Sequence, residues 1–466
     1  MLRKELEEFY SPEELEELER VREEVFTILH DSKKNGSPQA QEVVVDFILG
    51  KEHIYTLRND DKLEMWIYKE GIYVPNGQTY IREIVRHVFG PFYSKYRSDM
   101  IKNKIETETY IKQEKFFKEE EEKLMPIKNG VLNLETRELL KFSPDYRFFS
   151  KVPVDYDVSA ECPRIEKFLE EVLEGPEDME IIQEVFGLCL WRDYFTEKAI
   201  FLWGEGRNGK SKLLEILRNF LGEKNCVEIP LQDFERDNFA VINIHKKLVN
   251  LSADLSSESI AFTGIFKKIV GKDWVTANRK HKERISFISY AKQLFAGNEM
   301  PMTRDLSNAF FQRWIIINFP YTFLPKEEME KITGKERENI RLQNPRIVKD
   351  IINPKELSGL LNWSLEGLQR LRKNGEHSHS KGMEMIKKQW ILKSNSFEGF
   401  LQEKLELEEN SFITIKELKE SYADFCITNK IKRVTPQEFN LKMREQGCEE
   451  KRNSRGRFWE GVKFKD

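Results

Sequence analysis

The sequence predicts an α/β protein of several domains, and three observations lead to this prediction. At 466 residues, the chain is too long for a single compact core. Apolar residues make up 39% of the chain, which is enough to build buried cores and argues against disorder. Between about residues 162 and 323, short apolar runs alternate with helical patterns, as expected of a sheet whose strands are joined by helices.

Composition and charge exclude several classes of protein. The net charge of −4 provides no global basic field, so any nucleic-acid contact must come from local patches. The five cysteines form no C-x-x-C pair, which argues against a zinc ribbon or a disulfide framework. The histidines do not have the sequence spacing typical of metal ligands, and we expect His377 and His379 to lie in a solvated polar loop. No apolar run approaches a membrane span, so we expect a soluble cytoplasmic protein without a membrane partner.

Changes in pattern along the chain predict four parts. Strongly charged helical sequence opens the chain, and two apolar runs around a turn then indicate a β-hairpin. Strands alternate with helices next, and a polar break precedes the last unit. The predicted parts are a helical segment at 1–50, an α+β domain at 51–160, an α/β domain at 161–390 and a small terminal domain at 394–466.

The most specific motif is a glycine-rich octapeptide. In order, it consists of Gly204, Glu205, Gly206, Arg207, Asn208, Gly209, Lys210 and Ser211. It matches G-x-x-x-x-G-K-[ST], in which backbone N–H groups surround phosphates, the lysine reaches the β and γ phosphates and the hydroxyl binds Mg²⁺. An apolar strand at 199–203 precedes it and an amphipathic helix at 212–221 follows it, which is the required context. An ordinary glycine-rich turn is the alternative, but the pattern favours a site for ATP and Mg²⁺.

Hydrolysis of a bound triphosphate needs further polar groups, and three positions offer them. Asp254 ends an apolar run, where a carboxylate can hold Mg²⁺ and orient water; a turn or cap residue is the alternative. Asn298 follows the next buried run and could hold the attacking water or sense the γ phosphate, unless it is an ordinary loop asparagine. Arg313 precedes the last run, and a guanidinium stabilises phosphoryl charge, often from a neighbouring subunit; a surface ion pair is the alternative.

Together, these residues resemble the helicase half of phage and plasmid primase–helicases, members of superfamily 3 related to the poxvirus uncoating-factor ATPase. The resemblance lies in the order and compact spacing of the motifs, at 204–211, 247–254, 266–273 and 294–301, with Arg313 just before 315–320. Upstream, residues 129–134 and 143–145 look like the helicase-associated domain that precedes the motor in the same proteins. The resemblance covers roughly residues 60–390.

This resemblance implies a P-loop NTPase core of the AAA+-like type, an N-terminal α+β helicase-associated domain, a homo-hexameric ring and 3′-to-5′ movement on single-stranded DNA. One departure is that Leu255 and Ser256 follow Asp254, where the family commonly has a second acid. Glu258 is a less convincing candidate for that acid, because its spacing differs. The first fifty residues are too few for a polymerase-type domain, so we expect priming to come from a separate primase or polymerase.

Two basic segments are expected to contact DNA. Residues 274–287 read as a β-hairpin with Lys280, His281 and Lys282 at its tip, and in the resembling family such a tip grips the DNA backbone in the ring channel. A solvated charged loop is the alternative. The terminal domain has the order helix, helix, basic hairpin of a winged helix, a fold that binds either DNA or protein. Its candidate phosphate contacts are Arg452, Arg455 and Arg457.

The sequence therefore predicts an ATP-dependent DNA helicase that acts in replication of a phage, plasmid or integrated mobile element. The alternative is an initiator or regulator that binds DNA and uses ATP as an assembly switch without unwinding. A pump for double-stranded DNA is a weaker alternative that shares the ATP chemistry. Neutralising the hairpin tip separates the first two, because a motor then loses unwinding while ATP binding survives.

Overall fold

The computed structural model describes residues 10–31, 36–57, 64–118, 121–237, 239–255, 260, 263–279, 282–301, 303, 305, 307–429, 431–453 and 456–465. The chain forms two compact units, Met1–Tyr156 and Asp157–Asp466. Within these described ranges, no helix is both long enough and apolar enough to cross a bilayer.

The first unit mixes helices with two small sheets. Its α-helices are α1 (Pro12–Asp31), α2 (Gly36–Lys51), α3 (Gly77–Phe89), α4 (Lys95–Glu108) and α5 (Gln113–Phe116). Its strands are β1 (Ile54–Leu57), β2 (Met65–Lys69), β3 (Ile72–Val74), β4 (Tyr110–Ile111), β5 (Leu124–Ile127), β6 (Gly130–Asn133) and β7 (Leu139–Leu140). One sheet has the order β3-β2-β1-β4 and the other β5-β6-β7, and the predicted hairpin is the antiparallel pair β2–β3.

Helices α1 and α2 share one hydrophobic core with the elements that follow them. Leu18 and Val25 of α1 are buried in the same cluster as Ile48 of α2, Met65 of β2 and Ile84 of α3. Apolar faces at helical spacing bury against one another and against a sheet, which is the main stabilising effect available to amphipathic helices. The boundary that the sequence predicts at residue 50 therefore does not separate two cores.

The second unit contains the predicted α/β sheet. Its strands are β8 (Ala199–Trp203), β9 (Cys226–Val227), β10 (Val249–Ser252), β11 (Trp274–Arg279), β12 (Lys282–Ile288), β13 (Lys292–Gly297), β14 (Trp314–Asn318), β15 (Thr322–Leu324), β16 (Ile340–Leu342), β17 (Leu405–Thr414), β18 (Glu449–Asn453) and β19 (Gly456–Phe464). Its α-helices are α6 (Pro163–Val172), α7 (Pro176–Leu190), α8 (Lys210–Leu221), α9 (Asp233–Arg236), α10 (Gly264–Val270), α11 (Asn308–Phe311), α12 (Lys326–Met329), α13 (Ile347–Ile351), α14 (Pro354–Asn374), α15 (Lys381–Ser394), α16 (Ser396–Lys404), α17 (Ile415–Thr428) and α18 (Pro436–Glu445).

The central sheet has the order β14-β8-β13-β10-β9, and its neighbouring strands are all parallel. The four longer strands are buried almost throughout, which explains why each appears in the sequence as a continuous apolar run. Because the strands are parallel, their carboxyl ends lie at one edge of the sheet, where ligand sites of open α/β sheets form. The prediction of a mixed α/β fold with a parallel sheet is confirmed.

Helix α15 is anchored to the edge strand of this sheet. The indole N–H of Trp390 donates to the carbonyl of Pro301 at 2.8 Å, and its ring lies 5.3 Å from that of Trp314 and 6.0 Å from that of Phe201. The indole is fully buried, so α15 belongs to the α/β core.

In the polar segment before α15, one of the two histidines that were predicted to be solvated is buried. His379 is exposed as expected, but the prediction is wrong for His377, which is only 4% exposed. The cause is Glu184 of α7, a fully buried carboxylate that needs donors. Arg370 and the Ser378 hydroxyl donate to it at 2.8 and 2.7 Å, and His377 Nδ1 lies 3.4 Å from it.

The last residues of the second unit fold around their own apolar cluster. Strands β17, β19 and β18 form an antiparallel sheet in that order, and helices α16, α17 and α18 cover it. Trp459 and Met443 are buried in the shared cluster. Thr414 and Glu417 form a capping box at the start of α17, and the Thr435 hydroxyl caps α18.

Candidate functional site

The glycine-rich loop lies between β8 and α8, at the carboxyl edge of the parallel sheet. Gly209 caps α8 with φ of +91°, a left-handed conformation that favours glycine. Gly204 has no room for a side chain, because a Cβ there would lie 2.7 Å from the carbonyl oxygen of Phe319. The loop therefore depends on glycine both for its curvature and for close approach of the chain, as a phosphate-binding loop requires.

The ammonium of Lys210 lies at the centre of this edge. Lys210 is only 5% exposed, and its Nζ donates to Gly204 O at 2.7 Å, to Asn208 Oδ1 at 2.7 Å and to Asn298 Oδ1 at 3.1 Å. Burial lowers the pKa of Lys210 from 10.5 to about 8, and the charge of Asp254 opposes this shift. This buried ammonium is surrounded by neutral oxygens. Anionic phosphate oxygens that replace them would bind the ammonium more strongly, because opposite charges attract.

Asn208 has a role that the sequence did not reveal. Its amide group accepts from Lys210 through Oδ1 and donates through Nδ2 to Phe319 O at 3.1 Å, so it joins the loop to the chain that leaves β14. The carbonyl of the preceding loop residue, Arg207, accepts a hydrogen bond from Phe323 N at 2.8 Å. Its guanidinium pairs with the carboxylate of Glu328 at 2.7 Å. The motif does identify residue 208 as part of the loop, but its partners become visible only in three dimensions.

Asp254 and Asn298 reach the same edge from neighbouring strands. Asp254 comes two residues after β10, Asn298 directly follows β13, and β10 and β13 are paired in the sheet. Leu255 N donates to Ala296 O at 2.6 Å and its side chain is buried, so the residue after Asp254 turns into the core. Glu258, the other acid considered, lies outside the described residues.

The residues present fit a magnesium nucleotide. The donors that Mg²⁺ prefers are oxygens, and the hydroxyl of Ser211 and the carboxylate of Asp254 supply them at this edge. Among the residues with described positions, no three His, Cys, Asp or Glu side chains form a metal cluster. Phosphate and water oxygens would therefore complete the coordination of an ion held here, as is common for Mg²⁺.

Arg313 does not belong to this cluster. It precedes β14, and its carbonyl accepts from Ala199 N at 2.6 Å, at the amino end of β8. The loop begins at the other end of β8, and five residues of strand span about 16 Å. Arg313 thus lies at the amino ends of the parallel strands, and Lys210 lies at their carboxyl ends.

The predicted hairpin is present as the antiparallel pair β11–β12. Lys280 and His281, two of the three predicted DNA contacts, lie outside the described residues. Lys282 opens β12 opposite Arg279, and its side chain is likewise not described. Arg279 and Arg284 are further basic residues of the hairpin. The sequence did not single them out as DNA contacts, although both lie close to the tip along the chain.

In the terminal domain, the basic residues are partly neutralised. Arg452 and Arg457 face each other across β18 and β19, and Arg455 lies outside the described residues. Arg457 and Arg444 each lie 3.5 Å from a carboxylate oxygen of Glu450. One carboxylate thus lies beside two arginines and offsets part of their positive charge.

Two protein families match parts of the chain. Residues 48–174 match the family described as "D5 N terminal like", and residues 202–313 match a "family of unknown function (DUF5906)". The second match runs from the end of β8 to Arg313, and so contains the glycine-rich loop, Asp254 and Asn298.

Two viral proteins are similar to the chain at low identity. A protein of Acanthamoeba polyphaga mimivirus that bears the name "putative helicase" is 27% identical over 228 residues, which cover 46% of this chain and 23% of the relative. A Sputnik virophage protein with the same designation is 23% identical over 286 residues, covering 57% and 35%. The chain thus spans about a quarter to a third of the length of these relatives.

Among solved structures, the C-terminal region of NrS-1 is similar to the chain at 11% identity, with a TM-score of 0.48 and coverage of 89% of this chain and 98% of that one. A second structure of the same region gives 12% identity and a TM-score of 0.45, with coverage of 90% and 99%.

Proposed function

We propose that this chain is an ATP-dependent DNA helicase or translocase of superfamily 3. It couples ATP hydrolysis to movement on single-stranded DNA in replication of a virus, phage, plasmid or integrated mobile element. The observation that carries this proposal is the buried Lys210 ammonium, held by oxygens of Gly204, Asn208 and Asn298 at the carboxyl edge of the parallel sheet. The names of the two viral relatives support the helicase activity.

Each residue of the edge has a part in hydrolysis. Lys210 binds the β and γ phosphates, and the loop N–H groups at the start of α8 donate to the remaining phosphate oxygens. Ser211 and Asp254 hold Mg²⁺, which neutralises phosphate charge when bound. Asn298 orients the attacking water, a role that its hydrogen bond with Lys210, the residue assigned to the β and γ phosphates, supports.

The remaining parts of the motor are assigned by position. Arg313 acts on the nucleotide of a neighbouring subunit in a homo-hexameric ring, since it lies at the far edge of its own sheet. The tip of the β11–β12 hairpin, with Lys280, His281 and Lys282, contacts the DNA backbone without regard to sequence. A separate primase or polymerase supplies priming.

The organisation of the chain follows from these assignments. Residues 51–160 are the helicase-associated domain, which the match at 48–174 supports. Residues 161–390 are a P-loop ATPase core of the AAA+-like type, which is supported by a central sheet of parallel strands and by a glycine-rich loop that follows β8, the strand next to the edge strand β14. Residues 394–466 are a winged helix, supported by the order helix, strand, helix, helix, strand, strand.

An ATPase assay with and without single-stranded DNA tests the proposal. We expect turnover that DNA stimulates and that Lys210→Ala abolishes. Lys212→Ala is the matched control, because Lys212 lies on the same helix, is half exposed and pairs with Glu215 on the surface. Slow turnover that DNA leaves unchanged would instead favour the ATP-switched initiator or regulator. Failure of the wild type to retain nucleotide with Mg²⁺ would contradict both functions.

A further inference from the structure

The segments that follow β10 and β13 stay side by side after they leave the carboxyl edge of the sheet. Ile260 and Thr303 form a parallel bridge between them. Further along, the hydroxyl of Thr263 donates to the carboxylate of Asp305. The two segments that carry the polar residues of this edge are therefore joined to each other beyond the sheet.

The carboxylate of Asp305 is the centre of a small polar cluster. Its Oδ2 accepts from Lys267 Nζ at 2.8 Å and also from the Thr263 hydroxyl. Its Oδ1 accepts from Ser307 N at 3.1 Å and from the Ser307 hydroxyl at 2.5 Å. Burial would raise the pKa of the Asp305 carboxyl, but these hydrogen bonds lower it well below its usual range. Asp305 is therefore ionised at neutral pH and forms an ion pair with Lys267.

Lys267 belongs to α10, the helix that leads into the β11–β12 hairpin. Only three residues separate α10 from β11. Gly271 N donates to Lys267 O at 2.8 Å within this connection. A second hydrogen bond there runs from Asp273 N to Lys268 O at 2.9 Å. Because the connection is short and hydrogen-bonded, a displacement of α10 is passed on to the hairpin.

Asp305 belongs to the segment that begins with Asn298, seven residues earlier. Asn298 in turn accepts a hydrogen bond from the buried ammonium of Lys210 at 3.1 Å. The polar cluster thus connects an amide at the carboxyl edge of the sheet with the helix that carries the hairpin. Hydrogen bonds and ion pairs between packed elements are a physical means by which separate sites influence each other.

We propose that Asp305 is a positioning residue that ties the segment of Asn298 to α10 and so couples ATP hydrolysis at the carboxyl edge to DNA bound at the hairpin. This inference rests on the proposed function, since it takes Asn298 as part of the hydrolysis site and the hairpin as the DNA contact. It adds to that function the residue through which the two sites influence each other. Asp305 acts through Lys267 and Thr263, and it touches neither nucleotide nor DNA in this role.

Two other contacts keep both elements in place when this link is lost. The indole N–H of Trp390 donates to Pro301 O at 2.8 Å, which anchors the segment upstream of the ion pair. The ring of Phe266 in α10 stacks on that of Trp314, with the ring centroids 4.9 Å apart. The ion pair itself is partly exposed to solvent and therefore contributes little to stability. Its loss should weaken the coupling without unfolding the protein or displacing Asn298.

The stimulation of ATP hydrolysis by single-stranded DNA measures this coupling. In Asp305→Ala, the ratio of turnover with DNA to turnover without it should fall about fivefold or more, a typical size for coupling between two sites. Turnover without DNA and the affinity for ATP should stay close to their wild-type values. Lys267→Met should lose less of the stimulation, because Thr263 keeps its hydrogen bond to Asp305. Lys267→Arg should retain the stimulation, because the guanidinium preserves the charge.

Lys268→Met is the matched control, because Lys268 is the next residue of the same helix and is exposed. Its DNA stimulation should equal that of the wild type. Stimulation that survives Asp305→Ala overturns the proposal. Equal losses of turnover with and without DNA also overturn it, because Asp305 would then support only the hydrolysis site or the fold. A wild type that hydrolyses ATP without any response to DNA contradicts the proposed function itself, and this inference with it.

DNA binding provides a readout that does not depend on hydrolysis. Fluorescence anisotropy gives the affinity for a labelled single-stranded oligonucleotide with and without Mg²⁺ and a non-hydrolysable ATP analogue. The analogue should change this affinity in the wild type, and Asp305→Ala should reduce the change about fivefold or more. If Asp305→Ala does not fold, Lys267→Met takes its place. A variant that responds to the analogue as the wild type does overturns the proposal, and so does a wild type that binds both ligands without any mutual effect.

Discussion

The ammonium of Lys210 donates a hydrogen bond to the side-chain oxygen of Asn298 at 3.1 Å, and this bond joins the loop after β8 to the end of the neighbouring strand β13. Lysine can only donate, so the amide oxygen of Asn298 must face it and the amide NH₂ faces away. The NH₂ group is therefore available to a phosphate oxygen or a water molecule. Two residues 88 positions apart in the sequence thus meet at the carboxyl ends of neighbouring strands.

Replacement of Asn298 should separate binding from hydrolysis. In Asn298→Ala, Lys210 keeps its two other acceptors, so ATP affinity should change little, whereas turnover should fall about 100-fold as an oriented polar group is lost from the reaction centre. Fluorescent-nucleotide titration and steady-state ATPase assays measure the two effects. Asn243→Ala, at an exposed position of the same unit, should change neither quantity. Equal losses of affinity and turnover would contradict this role.

Nucleotide affinity should fall as the pH rises through the pKa of Lys210. Burial lowers that pKa to about 8, so the ammonium is lost from the nucleotide-free protein above this pH, and the neutral amine no longer attracts phosphate. The dissociation constant of ATP should then increase by up to about tenfold per pH unit. Lys210→Arg is the control, because a guanidinium stays charged and its affinity should not follow this profile. A flat profile for the wild type would refute the prediction.

A methyl group at Gly209 should destabilise the protein more than its backbone conformation alone requires. In Gly209→Ala, the new Cβ would adopt a left-handed conformation and approach Val172 Cγ1 to 2.7 Å. We expect a loss of about 2–4 kcal/mol in the free energy of unfolding, together with weaker nucleotide binding. Gly375 has nearly the same φ, at +78°, but open space around it, so Gly375→Ala should cost about 1–2 kcal/mol. Denaturant unfolding compares the two, and equal losses would exclude the steric contribution.

Stability should depend on pH through Lys292. This residue of β13 is fully buried, its ammonium donates to Trp191 O, and burial lowers its pKa from 10.5 to about 7. Between these values the unfolded chain binds a proton that the folded chain does not, so wild-type stability should rise with pH by up to about 1.4 kcal/mol per unit. Below pH 7 both states are protonated and this contribution is constant.

The variant Lys292→Met isolates this effect, because every other titrating group is shared with the wild type. The difference in unfolding free energy between variant and wild type should shift in favour of the wild type from about pH 7 to pH 10. The slope is the test, since the variant also loses the hydrogen bond to Trp191. Parallel pH profiles would show that Lys292 is not the titrating group.

The sequence predicted the sheet and its carboxyl edge because both depend on local patterns. The run 199–203 corresponds to β8 residue for residue, since a strand buried on both faces is a continuous apolar stretch. Asp254 and Asn298 could be predicted as neighbours because the residues that end parallel strands meet at one edge. The loop itself was identified from its motif.

Other features depended on contacts between residues distant in sequence. His377 stands in a polar stretch, and only the packing of α14 against α7 brings it to the buried Glu184. The role of Asn208 depends on Phe319, 111 residues away. Lys292 is the first residue of an apolar strand. Its burial depends on the elements that cover the strand, and the local sequence does not show which elements these are.

Under the proposed function, in which Arg313 acts on the nucleotide of a neighbouring copy, the separation of Lys210 and Arg313 by the length of β8 makes ATP hydrolysis depend on protein concentration. If hydrolysis requires an arginine from elsewhere, a dilute preparation will look inert even when every molecule is correctly folded and loaded. Specific activity should then rise with enzyme concentration before it levels off. A DNA strand that binds many molecules would act as an activator, because it raises their local concentration.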